Sequence, residues 1–408
     1  MKILFLTISP LQRINYSGIY TDLMRKFRDE GHDVYIVSSV ERRQGIPTNY
    51  KEIDGVHILS VKTLNLQKTN VVEKGVGQLL VESQYKKAIK KYMAGIDFDL
   101  ILYTTPPITF PKVIAYLKRQ NPQAKTYLLL KDIFPQNAVD LGMMTTGGAK
   151  GILYKMFRKK EVELYKLSDH IGCMSPANVE YVVRHNPEVD ASKVEVAPNS
   201  VELCHTEITE STESTSVREK YGLPTDKPIF IYGGNLGKPQ GIDYLIKCLD
   251  ANKNRKDCYF MVVGNGTELP KLKAWYDNLN LNDNDNLNVT VMEGLPKAEY
   301  DELVRSCDVG LIFLDHRFTI PNFPSRLLPY LKLRMPVLCA TDPNTDIGRI
   351  AKENGYGFWC ESNSVEAFSA ILDKMLRSDR KAMGEKGYEF LKENYTIDNT
   401  YNAIMSHV

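Results

Sequence analysis

KPIFIYGGNLGKPQGIDYLI, residues 227–246, sets a short apolar strand, Ile229 to Tyr232, before a glycine turn and a helix that starts near Gly241. The turn carries Gly233, Gly234 and Gly237, with Asn235, Lys238 and Gln240 among them. Glycine lets the backbone approach a ligand closely and take up φ > 0. A helix behind such a turn aims its free N–H groups and the positive end of its dipole back at it. Strand, turn and helix read as an anion site, most naturally for phosphate, or else as a plain tight βα turn. The G-x-G-x-x-G spacing of a dinucleotide fingerprint is absent.

The same alternation extends in both directions. Downstream, CYFMVVGNG (258–266), LNVTVMEGLP (287–296), CDVGLIFLD (307–315) and MPVLCAT (335–341) read as strands, with helices from Asp346 to the end. Upstream, KILFLTI (2–8), HDVYIVSS (from 32), VHILSVKT (56–63), DLILYTT (99–105), KTYLLL (125–130), HIGCMS (170–175) and KVEVAPNSVE (193–202) do the same. Helices fall at about 19–30, stopped by Gly31, and at 70–93 and 151–168. Short apolar runs alternating with helices predict parallel sheets built from βαβ units. In such sheets ligands sit at the carboxyl ends of strands. Gly18 and the pair Lys131–Asp132 fall there, although Asp132 also suits a turn or a helix cap.

Residues 203–217, LCHTEITESTESTSV, are rich in Ser, Thr and Glu and show no period. This stretch reads as a linker. A chain of 408 residues is too long for one ordinary core. The expected organisation is a domain over 1–202, the linker, a second domain over 218–390, and a terminal helix, 391–408, able to cross back to the first.

Hydrophobic residues make up 43% and charged residues 25% of the chain, as in soluble globular proteins. Charge is uneven: residues 1–200 hold 28 Lys and Arg against 20 Asp and Glu, and the remainder 24 against 30. A basic first half suits an anionic surface or partner, or is an ordinary solvated face. The helix at 151–168, with Arg158, Lys159 and Lys160, fits either description. Seven scattered cysteines with no C-x-x-C pair argue for a reducing compartment without disulfides or a zinc site. MKILFLTISP reads as a first strand rather than a signal peptide, and no run of about 18 apolar residues occurs. Asp97-Phe98-Asp99 precedes a strand and Asp283-Asn284-Asp285 lies in an Asn-rich turn, so neither reads as a metal site. No basic–aromatic motif for nucleic acid is present, and the pI near 8.0 comes from mixed charge.

Several motifs narrow the reading. They are Gly31-His32-Asp33-Val34, Asp169 with Ser175, Pro198-Asn199-Ser200-Val201-Glu202, Gly234-Asn235-Leu236-Gly237 with Gln240-Gly241, Val263-Gly264-Asn265-Gly266, Cys307-Asp308-Val309, and Pro324-Ser325-Arg326 with Met335-Pro336-Val337. In order and spacing, across nearly the whole chain, they resemble family 4 glycosyltransferases. Lys131-Asp132-Ile133-Phe134-Pro135 resembles the R-D-L-W-P motif of the branch that includes fucosamine transferases of bacterial surface-polysaccharide synthesis. Asn235 and Gln240, where many members carry Arg and Lys, fit that branch.

The resemblance implies a GT-B fold: two Rossmann-like domains facing across a cleft. It implies retaining transfer of a hexosyl or N-acetylhexosaminyl group from a nucleotide-sugar, UDP-linked, to a lipid-linked or glycan acceptor in capsule or O-antigen assembly. The nucleotide-sugar is a co-substrate, and no metal or other cofactor is expected. Gly234, Asn235, Gly237, Lys238, Gln240, Gly241, Gly264 and Ser325 would hold the donor, with Glu293 to Leu295 around the base. Arg326 would serve the leaving diphosphate, since a guanidinium fork suits phosphate oxygens. Asp132 would orient the acceptor hydroxyl or take its proton. Gly18, Lys131 and Asn199 would lie by the sugar and acceptor. The basic half would face the membrane, placing the protein in the cytoplasm or peripherally on the inner face of the plasma membrane.

One departure stands out. The family commonly has two glutamates separated by seven residues beside the donor, and here Pro321 and Pro329 occupy those positions. Neither offers a side-chain acceptor. Besides the transferase, a catalytically weak partner subunit therefore stays open, as does a sugar-nucleotide epimerase of the same fold.

Overall fold

A computed structural model describes residues 1–66, 71–148, 151–203, 211–282 and 287–408. The chain divides into two compact units, Met1–Glu202 with Tyr395–Val408, and Leu203–Asn394.

The first unit is built on eight strands: β1 (Lys2–Leu6), β2 (Asp33–Glu41), β3 (Asn49–Ile53), β4 (Val56–Thr63), β5 (Leu100–Thr105), β6 (Lys125–Leu130), β7 (His170–Cys173) and β8 (Val194–Val196). Their order across the sheet is β3-β4-β2-β1-β5-β6-β7-β8. All neighbours run parallel except β3, which pairs antiparallel with β4. The continuous apolar runs are the central strands: Ile3 to Leu6 and Leu100 to Tyr103 are fully buried, as expected where helices cover both faces. Phe5, Phe27, Ile36, Leu102 and Leu129 share one core cluster with Ile397 and Ile404 of the returning C-terminus.

The second unit holds β9 (Ile229–Asn235), β10 (Tyr259–Asn265), β11 (Val289–Glu293), β12 (Val309–Phe313), β13 (Val337–Thr341) and β14 (Gly357–Glu361). Their order is β11-β10-β9-β12-β13-β14, all parallel. Strand order reverses direction between β9 and β12 here, and between β1 and β5 in the first unit. Crevices for ligands open at such switch points, beyond the carboxyl ends of the strands.

Several sequence expectations need correction. β9 runs three residues past Tyr232, because Gly233, Gly234 and Asn235 stay in register with Val263, Gly264 and Asn265. β3 and β14 are additional strands. The first is a half-exposed polar edge strand, and the second falls where only helices were expected. The helix Ser211–Lys220 takes up part of the stretch read as linker; residues 204–210, and Asp283 to Asp285, lie outside the described residues. Asp99 has a structural use, as its carboxylate accepts the Lys2 N–H at 2.7 Å. Among the described residues no helix is long and apolar enough to cross a membrane.

Candidate functional site

The switch point of the second unit gathers most of the residues singled out for the donor. Gly234, next to last in β9, has φ of 115° and is exposed, with nothing within 4 Å of where a Cβ would lie. That is backbone only glycine adopts easily, facing open space. Gly264 is packed against it, since a Cβ there would come 1.9 Å from the Gly234 carbonyl oxygen. Asn265 joins the next edge, accepting the Gly294 N–H on Oδ1 at 3.3 Å. Glu293 is exposed and its carboxylate is spent on Lys273 at 2.8 Å, which holds it below the usual carboxylate range. Leu295 lies half-buried two residues on.

The turn after β9 closes on itself more than the sequence suggests. Lys238–Gln240 form one 3₁₀ turn. Gln240 is buried, and its Oε1 accepts the Gly237 N–H and the Asn235 Nδ2, both at 3.1 Å. The Gly241 N–H donates to the Lys238 carbonyl at 3.1 Å. The N–H groups of Gly237 and Gly241, expected to face a ligand, instead satisfy the loop, as does Gln240 Oε1. Gly241 is needed for another reason: its φ of 59° turns the chain into the helix Ile242–Asn252. Asn235 and Lys238 remain exposed on the rim.

Arg326 comes from the far side of the switch point. It follows the loop after β12 and precedes the helix Leu327–Lys332, beside the exposed Ser325. Its guanidinium lies over the ring of Tyr232, 4.4 Å from the centroid, so a cation is stacked on the last buried side chain of β9. Tyr232 in turn donates to the Asn235 carbonyl at 2.8 Å. Burial opposes the charge on Arg326, but Tyr232, Tyr330 and Tyr300 favour it, and the net shift is upward. Nη1 is enclosed and meets no acceptor among the described residues. A buried guanidinium nitrogen without an acceptor is costly unless an anion fills the gap. The sequence reading missed Tyr232, Tyr300 and Tyr330; only the place of Tyr232, directly before the glycines, hinted at a role.

In the first unit, Lys131, Asp132 and Asn199 follow the ends of β6 and β8. Lys131 Nζ donates to the Ala197 carbonyl at 3.1 Å, and burial pushes its pKa down to about 7. Asp132 is half-buried and accepts Asn137 Nδ2 at 2.7 Å. Asn199 Oδ1 is enclosed with no partner among the described residues. Gly18 is extended, with φ of −179°, a backbone any residue adopts. Its N–H donates to Asp22 and its carbonyl accepts from Thr21 and Asp22, so it starts the first helix. Of the basic cluster on the helix Gly151–Leu167, Arg158 pairs with Glu161 at 2.7 Å and Lys160 with Glu82 at 3.0 Å. Lys159 alone of the three is exposed.

Comparison with known proteins agrees with this geometry. Residues 213–390 match the model of the family described as glycosyl transferases group 1. A probable glycosyltransferase of Pseudomonas aeruginosa, WbjE, is 23% identical over 337 residues, covering 81% of this chain and 78% of its own. A putative colanic acid biosynthesis glycosyl transferase of Escherichia coli, WcaI, is 22% identical over 257 residues, 62% of this chain and 60% of its own. Among solved structures, sucrose-phosphate synthase of Thermosynechococcus elongatus superposes with a TM-score of 0.76 at 14% identity over the whole of both chains. Anabaena HepE in complex with UDP does so with a TM-score of 0.68 at 14% identity, over 100% of this chain and 99% of its own. The fold is GT-B, and residues 213–390 are similar to the group 1 glycosyl transferases.

Proposed function

We propose that this protein is a retaining glycosyltransferase that moves a sugar from a UDP-linked donor to a lipid-linked or glycan acceptor in cell-surface polysaccharide synthesis. One observation carries the reading: Arg326, stacked on Tyr232 with Nη1 enclosed and without an acceptor among the described residues, stands at the switch point where Gly234 leaves open space. The rest of the half-buried guanidinium, rather than the enclosed Nη1, would meet a diphosphate oxygen. Leaving-group charge would then be stabilised by a preorganised cation in a partly dry site. In many enzymes such electrostatic stabilisation contributes more to the rate than any other single effect. No metal is required for that role. The names of WbjE and WcaI, and UDP in HepE, support the donor class and the pathway.

Retention places the acceptor on the leaving-group face of the sugar. Asp132 and Lys131 are the groups proposed to receive or orient it, with Asn199 nearby in the chain after β8. The excess of lysine and arginine in residues 1–200 fits a protein working at the inner face of the plasma membrane, where lipid-linked acceptors reside.

A second reading has its own observation. Pro321 and Pro329 offer no side-chain acceptor for ribose, and the Asn235–Gln240 amides are bonded to each other. A catalytically weak subunit of a paired transferase would tolerate both.

The test is calorimetry of UDP-, GDP- and dTDP-sugars against the wild type and Arg326→Ala. Loss of a charge-assisted contact costs about 1.5–3 kcal/mol, so binding should weaken roughly 10- to 100-fold in the variant. A wild type silent to every donor, yet required for turnover by a second chain, would select the partner reading. Equal affinity in the variant would remove Arg326 from the site.

A further inference from the structure

Three loops at the carboxyl edge of β9, β12 and β13 are stitched together by hydrogen bonds. The loop after β12, residues 314–326, carries Ser325 and Arg326 at its far end. Its near end is fastened to the glycine turn, where the Asp315 N–H donates to the Pro239 carbonyl at 3.0 Å. Its middle is held from β13. The Asn322 N–H donates to Thr345 Oγ1 at 3.0 Å, and Asn344 Nδ2 donates to the Phe318 carbonyl at 2.7 Å.

Asn344 and Thr345 are themselves set by one carboxylate. Asp342 Oδ1 accepts the backbone N–H groups of Asn344 and Thr345, each at 2.9 Å. Its Oδ2 accepts the Thr345 hydroxyl at 2.8 Å. Asp342 is 0% exposed and Thr345 2%. A carboxylate is among the costliest groups to bury, and here its donors are neutral. Burial pushes Asp342 up to about 6, so at neutral pH the ionised form accepts all three bonds. The Thr345 hydroxyl has one proton, and it is spent on Asp342. Its oxygen is thereby left as an acceptor for Asn322, which gives the relay a fixed polarity.

We propose that Asp342 and Thr345 are positioning residues for the nucleotide-sugar site: the relay Asp342–Thr345–Asn322 fixes the path of residues 318–326, and with it the place of Ser325 and Arg326. This rests on reading that edge as the donor site. The loop has no regular structure of its own between Phe313 and Leu327. Its course is therefore decided by such side-chain ties and by Phe318 and Ile320, which are buried beneath it. Breaking the relay at Thr345 releases the Asn322 N–H, while the Asp315–Pro239 and Asn344–Phe318 bonds remain.

The test uses the full chain as wild type, Thr345→Val and Thr345→Ser. Valine keeps the shape and removes both hydrogen bonds, whereas serine keeps them. With UDP, GDP and dTDP as probes, the valine variant should bind about 10-fold more weakly, as expected when a buried N–H and a carboxylate each lose a partner. The serine variant should stay within about 2-fold of wild type. Amide exchange of residues 318–328 should accelerate in the valine variant only, while β13 and the helix Ile347–Glu353 keep their protection. Equal affinity and equal exchange in valine variant and wild type would overturn the relay alone. Equal losses in both variants would overturn it too, because serine retains the hydroxyl. A wild type that binds none of the nucleotides overturns the donor-site reading, and the relay's role with it.

Discussion

Arg326, before a helix, and Lys131, just past a strand, are two cations whose surroundings treat them differently. Arg326 is surrounded by tyrosine, which favours its charge. Lys131 is surrounded by little that does: burial lowers it to about 7, and only the distant influence of Cys173 opposes that. The unfolded lysine keeps its proton to about 10.4. Between those values the unfolded chain binds more protons than the folded one, so stability rises with pH. From pH 7 to 8.5, wild type should therefore gain on Lys131→Met by about 1.6 kcal/mol, measured as the difference in urea unfolding free energy at the two pH values. The window stops at pH 8.5 because buried groups such as Tyr103, Cys173 and Cys307, shifted up by burial, reverse the slope above it. A difference that stays constant across the window would show that Lys131 keeps its proton throughout. If Lys131 instead meets an anionic acceptor in the working enzyme, its charge is restored on binding.

The strand edges of the second unit depend on glycine for a reason separate from ligand approach. A Cβ on Gly264 would lie 1.9 Å from the Gly234 carbonyl oxygen, and one on Gly266 would lie 2.1 Å from that of Leu236. Both obstacles are backbone, which cannot rotate away. Gly264→Ala should therefore force β9 and β10 apart at their carboxyl ends and destabilise the second unit by about 2–3 kcal/mol, the usual range for overpacking. An unchanged denaturation midpoint would mean the two strands tolerate a wider spacing. This is also where sequence reading reached its limit. Runs such as Phe230 to Tyr232 and Leu100 to Tyr103 announce buried strands by composition, so the order of elements was readable. Gly233 and Gly234 looked like the start of a turn, because local composition cannot show that Val263 and Gly264 continue the pairing. β3 was hidden by its polar, half-exposed residues. The Tyr232–Arg326 stack joins residues far apart in the chain, and no local pattern encodes it. Asn235 and Gln240 were read as ligand donors; their mutual bond follows from the turn geometry, which appears only in three dimensions.

At the scale of the molecule, the chain leaves its first unit near Glu202, builds the second, and comes back at Tyr395. The return is bonded as well as packed. The Val201 N–H donates to the Tyr395 carbonyl, and the Ile397 N–H donates back to the Val201 carbonyl. Thr400 Oγ1 bonds the Pro198 carbonyl at 3.1 Å and Ser200 Oγ at 2.8 Å. Ile397 and Ile404 enter the first core, and His407 stacks on His170 with ring centroids 3.7 Å apart. Burial of the two isoleucines alone contributes on the order of 4 kcal/mol, a large share of the stability of one unit. Ending the chain at Asn394 should thus destabilise the first unit and leave the second nearly unchanged. The segment 203–394, which keeps its whole core cluster, should fold by itself. Amide exchange on both truncated chains separates these outcomes. Undiminished protection of β1, β2 and β5 in the chain ending at Asn394 would mean that the first core closes without its last helix. Loss that extends to β6 and β8 would mean that Lys131 and Asn199 are held in place by the final fourteen residues, since Lys131 bonds Ala197 and Thr400 bonds the carbonyl next to it.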